Sequence, residues 1–372
     1  MKKKYIIFFI VTLVLLVALI TSFNYFKTTN TYIDDSVNNQ TKITKGISMN
    51  LEQTAGAGDY KTVTQSGWPT EGYKFNAELS KCEKGSTLSW DDTKKAVIVS
   101  GNLSDKCYVY FDIYQPTLAE YIKSQYTGTQ GDNALYYHNS TLTNGAGDNS
   151  YRYAGASDSV NNYICLGSDE ATCPDANLFR IIGVFGDQTK VIRAKSIGNQ
   201  KWDTNNSNTW SSSSLNTYLN GEYLTSLGTI AEKIATTTWK VGGRSSTYLY
   251  DVPTTAYQYE VGSSASTTTY DAKIGLMYVS DYGFAADQSG WTTKLSSYGS
   301  NSSKNWLYLG SAEWTISRNS RLTGLAFTVT GTGYVNYTSV TLSRGVRQSF
   351  NLESSVKYVS GSGSMSDPII IE

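Results

Sequence analysis

One histidine, four cysteines and scattered carboxylates are the residues from which any chemistry of this 372-residue chain must be built. His138 stands in Tyr136-Tyr137-His138-Asn139, inside a polar stretch. A lone imidazole can serve as a general base, but it excludes every metal cage built from several histidines. A Ser-His-Asp triad would depend on it entirely, and no Ser or Cys in nucleophile context accompanies it. The nearest approach to a nucleophile elbow is Gly361-Ser362-Gly363, which reads as a terminal loop. His138 is therefore expected to be a surface or loop-packing residue.

The cysteines form two close pairs, Cys82 with Cys107 and Cys165 with Cys173. Four cysteines permit three connectivities, and proximity favours these two disulfides. The first would close a loop holding a hairpin of residues 86–90 and 95–100, and the second would staple the turn at 167–172. The absence of any CxxC pair argues against a zinc site or a redox pair. Asp169, Glu170 and Asp175 crowd the second pair, where oxygen ligands could hold a Ca²⁺; a solvated acidic loop is the expectation. Arg318 and Arg347 fall in strand-like segments and are expected to anchor buried hydrogen bonds. Trp202, Trp210, Trp239, Trp291, Trp306 and Trp314 are numerous enough for a sugar-stacking surface, although core packing is the expected job for most. Tyr248, Tyr250, Tyr257 and Tyr259, read as two weakly charged loops, are the candidate ligand contacts, since Tyr gives large contact area for little lost entropy. No catalytic, metal or cofactor residue is assigned, and no cofactor is expected.

Charge and the amino terminus bound the setting. The chain carries 31 Lys+Arg and 31 Asp+Glu, and only 17% of residues are charged. That balance argues against a nucleic-acid partner, which would need clustered Lys and Arg. Lys2, Lys3 and Lys4 precede an uncharged run at 5–23, about 28 Å long as a helix and close to the hydrocarbon thickness of a bilayer. It has no polar face, and it is longer than the apolar core of a cleaved signal peptide. Residues 1–26 are read as a signal-anchor, with a cleaved signal as the alternative. The lysines stay inside and the remainder is placed outside, as the ectodomain of a single-pass cell-membrane protein. Without that segment the net charge is −3, from 28 basic and 31 acidic residues.

The elements that must position these groups follow from periodicity. Residues 27–45 are polar and read as a stalk, and 46–114 as a small β domain that needs its disulfide. Thr117 and Glu120 form a capping-box pattern for a helix from Leu118 that Gly128 would end. Residues 178–185 and 190–194 read as a hairpin about Gly186-Asp187. Residues 211–219 read as a helix with Ser211 as cap, 230–239 as a weaker helix, and 273–279 as a strand. Further strands are read at 306–309, 326–329, 334–336, 345–352 and the terminal 369–372. Strands and helices mix without regular alternation, so the class is α+β.

Two stretches resemble known families. Cys82-Glu83-Lys84-Gly85, Leu88-Ser89-Trp90 and Ser104-Asp105-Lys106-Cys107-Tyr108-Val109-Tyr110-Phe111-Asp112 resemble a small disulfide β module of low-GC Gram-positive surface proteins. Residues 115–372 resemble an uncharacterised bacterial surface-protein family with a C-type-lectin-like domain, in the version of the formylglycine-generating enzymes. The matching motifs are Asn208-Thr209-Trp210-Ser211 with Leu215-Asn216, the segment 273–282, Asn305-Trp306-Leu307, Trp314-Thr315-Ile316-Ser317-Arg318-Asn319 and Gly345-Val346-Arg347. The resemblance implies a C-type-lectin-like mixed α+β domain over 115–372. It does not carry chemistry across. No cysteine follows Cys173, and the calcium–sugar signatures Glu-Pro-Asn, Gln-Pro-Asp and Trp-Asn-Asp are absent. The expected function is a membrane-anchored, non-catalytic protein that binds an unknown surface glycan or protein ligand. The alternative is an extracellular carbohydrate-active enzyme, which would need paired carboxylates.

Overall fold

Cys82 and Cys107 lie directly opposite each other on neighbouring antiparallel strands, Tyr73–Cys82 and Cys107–Ile113, and are disulfide-bonded. This computed structural model describes residues 31–32, 46–64, 67–69, 72–102, 104–168, 170, 172–244 and 251–372. The chain divides into two units between Gln115 and Pro116. In the first, a four-stranded sheet has the order Tyr60–Val63, Ile47–Glu52, Cys107–Ile113, Tyr73–Cys82. The burial of Cys107–Ile113 alternates, sending Val109 and Phe111 inward onto Met49, Trp68 and Val97, as period-2 geometry requires. A second sheet of the unit joins Thr87–Asp91 to Ala96–Ser100, and Thr31–Tyr32 adds to its edge. That short strand lies within the stretch read as a stalk. The rest of the stalk and the signal-anchor segment 1–26 fall outside the described residues. Among those described, no helix is long and apolar enough to cross a membrane.

The second unit is mixed α+β and mostly sheet. Its central hairpin is Leu178–Phe185 with Gln188–Arg193, turning at Gly186-Asp187. Both strands are buried along most of their length because neighbours cover them, and Leu178–Phe185 is a nearly continuous apolar run. They sit in a nine-stranded sheet with Gln348–Leu352, Gly275–Leu276, Tyr151–Tyr153 and the terminal Ile369–Ile371 among the other strands. A five-stranded sheet contains Glu313–Arg318, Leu325–Val329 and Val335–Ser339. The helix Leu118–Ser124 has the full capping box: Thr117 Oγ1 accepts from the Glu120 amide, and Glu120 Oε2 from the Thr117 amide. It ends at Ser124, short of Gly128. Cys165 and Cys173 form the second disulfide, and no cysteine is free.

Several elements differ from the sequence reading, each for a local reason. Residues 273–279 are not one strand. Only Gly275–Leu276 pairs, and the Asp281 carboxylate caps the amide of Tyr278 to start the helix Val279–Phe284. Residues 230–239 split into a 3₁₀ turn, Gly228–Lys233, and the strand Thr237–Lys240, whose β-branched threonines favour pairing with Thr269–Ala272. The helix placed at 211–219 is a 3₁₀ turn, Trp210–Ser212, followed by Ser214–Tyr218, capped by Ser213 instead of Ser211. Residues 345–352 divide between sheets, Ser343–Gly345 in the five-stranded one and Gln348–Leu352 in the nine-stranded one. Residues 306–309 form no strand, for Trp306 and Leu307 are held through side chains: the Trp306 indole donates to the Tyr153 carbonyl, and Arg347 to that of Leu307. Tyr257 and Tyr259 lie on the helix Pro253–Glu260 and not in a loop, with Pro253 pre-set for the first helical position.

Candidate functional site

A row of four residues crosses the nine-stranded sheet: Arg152, Gly183, Lys190 and Asn351 are paired neighbours on successive strands. Gly183 makes the row possible. A Cβ there would meet the Tyr151 carbonyl oxygen at 2.2 Å, so only glycine lets the strand Tyr151–Tyr153 dock. Two buried cations, Arg152 and Lys190, thus sit on either side of a residue without a side chain.

The helix Val279–Phe284 supplies their counter-charge. Asp281 Oδ2 is 2.5 Å from Lys190 Nζ, and Oδ1 is 3.7 Å from Arg152 Nη1. Arg152 also reaches Asp148 Oδ2 at 2.6 Å, and its Nε donates to Ser150 Oγ at 2.8 Å. Burial opposes ionisation of Asp148, but Arg152 together with the Ser150 hydroxyl and amide outweighs it and holds the carboxyl at about 2. Burial pushes the Lys190 ammonium below its ordinary value against the pull of Asp281. Glu260, fully buried next to this cluster, is pushed up by burial although it accepts from the Val279 and Ser280 amides and the Ser317 hydroxyl.

Aromatic rings wall the charges. Lys190 Nζ lies 4.7 Å from the Tyr278 ring centroid and 5.4 Å from that of Trp239. The Arg152 guanidinium lies 4.6 Å from Phe185 and 5.3 Å from Tyr257. Between these groups is a cavity of about 190 Å³, rimmed by Thr237, Thr238 and Lys240. Asn351 donates to Thr237 Oγ1 at 3.0 Å, while its Oδ1 has no hydrogen-bond partner among the described residues. Burial and then the Asp148 charge push the Tyr257 hydroxyl up to about 12, so it remains a hydrogen-bond donor. The cleft can therefore stack an apolar ring face and hydrogen-bond its edge.

Of the four candidate tyrosines, Tyr248 and Tyr250 lie outside the described residues. Tyr257 and Tyr259 are not brought together. Two positions apart on a helix means about 200° of rotation, and Tyr257 faces this cleft while Tyr259 lines a different cavity. His138 is buried, with its ring against Phe284 and Trp291. Its Nδ1 accepts the Ala146 amide at 3.0 Å, which assigns the proton to Nε2. Burial and the Arg152 charge push its pKa well below the usual value, so it is a packed neutral residue and not a surface one. The six candidate tryptophans are all buried, and among them Trp239 lines the cleft. Arg347 grips Glu313 with two contacts of 2.8 Å, as expected for an anchor, and Arg318 Nε donates to the Gly242 carbonyl at 3.0 Å. Asp175 pairs with Lys195 at 2.5 Å and Glu170 is exposed, while Asp169 lies outside the described residues. No group of three His, Cys, Asp or Glu among the described residues is placed to hold a metal.

Sequence reasoning missed Arg152, Lys190 and Asp281. The available signal was a charge inside an apolar strand, as in Thr189-Lys190-Val191-Ile192. Compared with protein-family models, curated proteins and solved structures, the chain matches none.

Proposed function

We propose that the chain is a membrane-anchored, non-catalytic binding protein of a bacterial cell surface. Its second unit, a C-type-lectin-like domain in this reading, takes a residue of a surface glycan into the aromatic cleft. The observation that carries the proposal is the cleft itself, where Phe185, Trp239, Tyr257 and Tyr278 surround charges already paired with one another. Aromatic faces stack on the apolar faces of a sugar, and fixed polar edges orient its hydroxyls. At about 190 Å³ the cavity suits a single ring. Glycoside hydrolysis by an extracellular enzyme would need one carboxyl kept protonated near neutral pH. Asp148, held at about 2, cannot fill that role, and Asp281 is committed to two cations. Glu260, although pushed up by burial, is spent on the Val279 and Ser280 amides and the Ser317 hydroxyl and does not line the cavity.

The test is a glycan array probed with the full chain in detergent. We expect retention of a sugar class, weakened about tenfold by Tyr257→Ala and by Asn351→Leu. Binding unchanged in both variants would overturn the assignment to the cleft, and glycan hydrolysis abolished by Asp148→Asn would overturn the non-catalytic reading. The topology is tested in cells. External protease should digest the ectodomain, and the protein should stay with membranes through an alkaline wash. Recovery from the medium with a new amino terminus near Phe23 would show cleavage instead.

A further inference from the structure

We propose that a second cavity, on the other side of the helix Pro253–Glu260, binds an oxyanion carried on a small polar molecule. The cavity measures about 410 Å³ and is lined by Arg244, Arg318 and Arg321, with the Gly242-Gly243 turn, serines and Tyr259 completing it. Three guanidinium groups around one space repel unless something negative lies among them. Asp251 is 3.4 Å from Arg244 Nη2 and compensates that charge, and the buried Glu260 also acts on Arg244. No carboxylate among the described residues lies within ion-pair distance of Arg318 or Arg321. Arg318 spends only its Nε, on the Gly242 carbonyl, and Arg321 is exposed. Two planar forks of donors therefore remain for a ligand, and such forks match phosphate, sulfate and carboxylate oxygens.

The backbone holds these arginines in place. Gly243 has φ +73°, and a Cβ there would meet the Arg318 carbonyl oxygen at 2.2 Å and its Cγ at 2.4 Å. Only glycine permits that approach. The Arg244 amide donates to the Arg318 carbonyl and the Ser320 amide to the Arg244 carbonyl, each at 2.9 Å. Asn319 Oδ1 accepts the Arg321 amide at 3.0 Å, and the Asn208 side chain donates to the Asn319 carbonyl at 2.8 Å. The segment from Arg318 to Arg321 is thus pinned from both sides. The volume exceeds that of a bare tetrahedral anion, and Tyr259 and the serine hydroxyls suit the polar body that carries it.

The test is calorimetric titration of the full chain in detergent with glucose, glucuronate and glucose 6-phosphate. At least one charged sugar should bind ten times more tightly than glucose, and which one does so identifies the oxyanion. Arg318→Gln and Arg321→Gln should each weaken it about ten- to a hundredfold. Arg344→Gln, at a half-buried arginine that does not line the cavity, should change nothing. Melting curves establish that the variants are folded, and Arg321, being exposed, keeps the test open if Arg318→Gln fails to fold. Charged sugars binding no better than glucose, or equal losses with Arg321→Gln and Arg344→Gln, would sink the proposal.

Discussion

Asp148 is the residue whose charge state most directly reports the buried network. A carboxyl held at about 2 in the fold and near 3.8 in the unfolded chain stabilises the fold above pH 4. That contribution is lost as pH falls through the folded value, and linkage puts it at about 2 kcal/mol. Thermal unfolding of Asp148→Asn against the parent should show a gap at pH 6 that narrows steeply as pH falls towards the folded value of about 2; a gap independent of pH would mean that Arg152 does not hold the carboxyl down. Gly183 is the steric counterpart. Gly183→Ala forces a methyl into the Tyr151 carbonyl and should cost about 2–3 kcal/mol, as overpacking does. Hydrogen exchange at Tyr151–Tyr153 should rise first, since that strand must move. Neither role was legible in the sequence, because one depends on a neighbour four residues away that turns back in space and the other on a strand some thirty residues upstream.

At the scale of elements, local chemistry was a good guide where the element closes its own hydrogen bonds. The helix Leu118–Ser124 is the clear case, with both halves of its capping box formed. Thr117→Ala should cost about 1 kcal/mol, measured as a lower denaturant midpoint at unchanged slope. The hairpin about Gly186-Asp187 was equally readable, from the apolar run at 178–185, the β-branched Val191-Ile192 after it and a two-residue turn. Residues 273–279 were not. Their β-rich composition was overruled by one carboxylate, Asp281, which caps a helix start and serves two cations in the same position. Tyr257 and Tyr259 looked like a pair in sequence, and helical rotation sends them to separate cavities.

At the scale of the molecule, each unit carries its own disulfide. Replacing Cys82 and Cys107 by Ser should destabilise the first unit by about 3 kcal/mol through the larger loop. Hydrogen exchange resolved by peptide should show the loss confined to residues before Gln115, with the second unit unchanged. Loss spread equally through both would mean that the units do not unfold separately. Composition and spacing were enough for the α+β class, the two pairings of neighbouring cysteines, and the burial of most tryptophans, because each follows from local pattern or from the cost of exposing large apolar surface. The cleft and the arginine cavity were decided by tertiary structure alone. Arg152, Lys190, Asp281 and Asn351 span some two hundred positions, and Gly243 meets Arg318 across seventy-five. Their meeting depends on which strands become neighbours, and no periodicity within one segment encodes the identity of the next strand over.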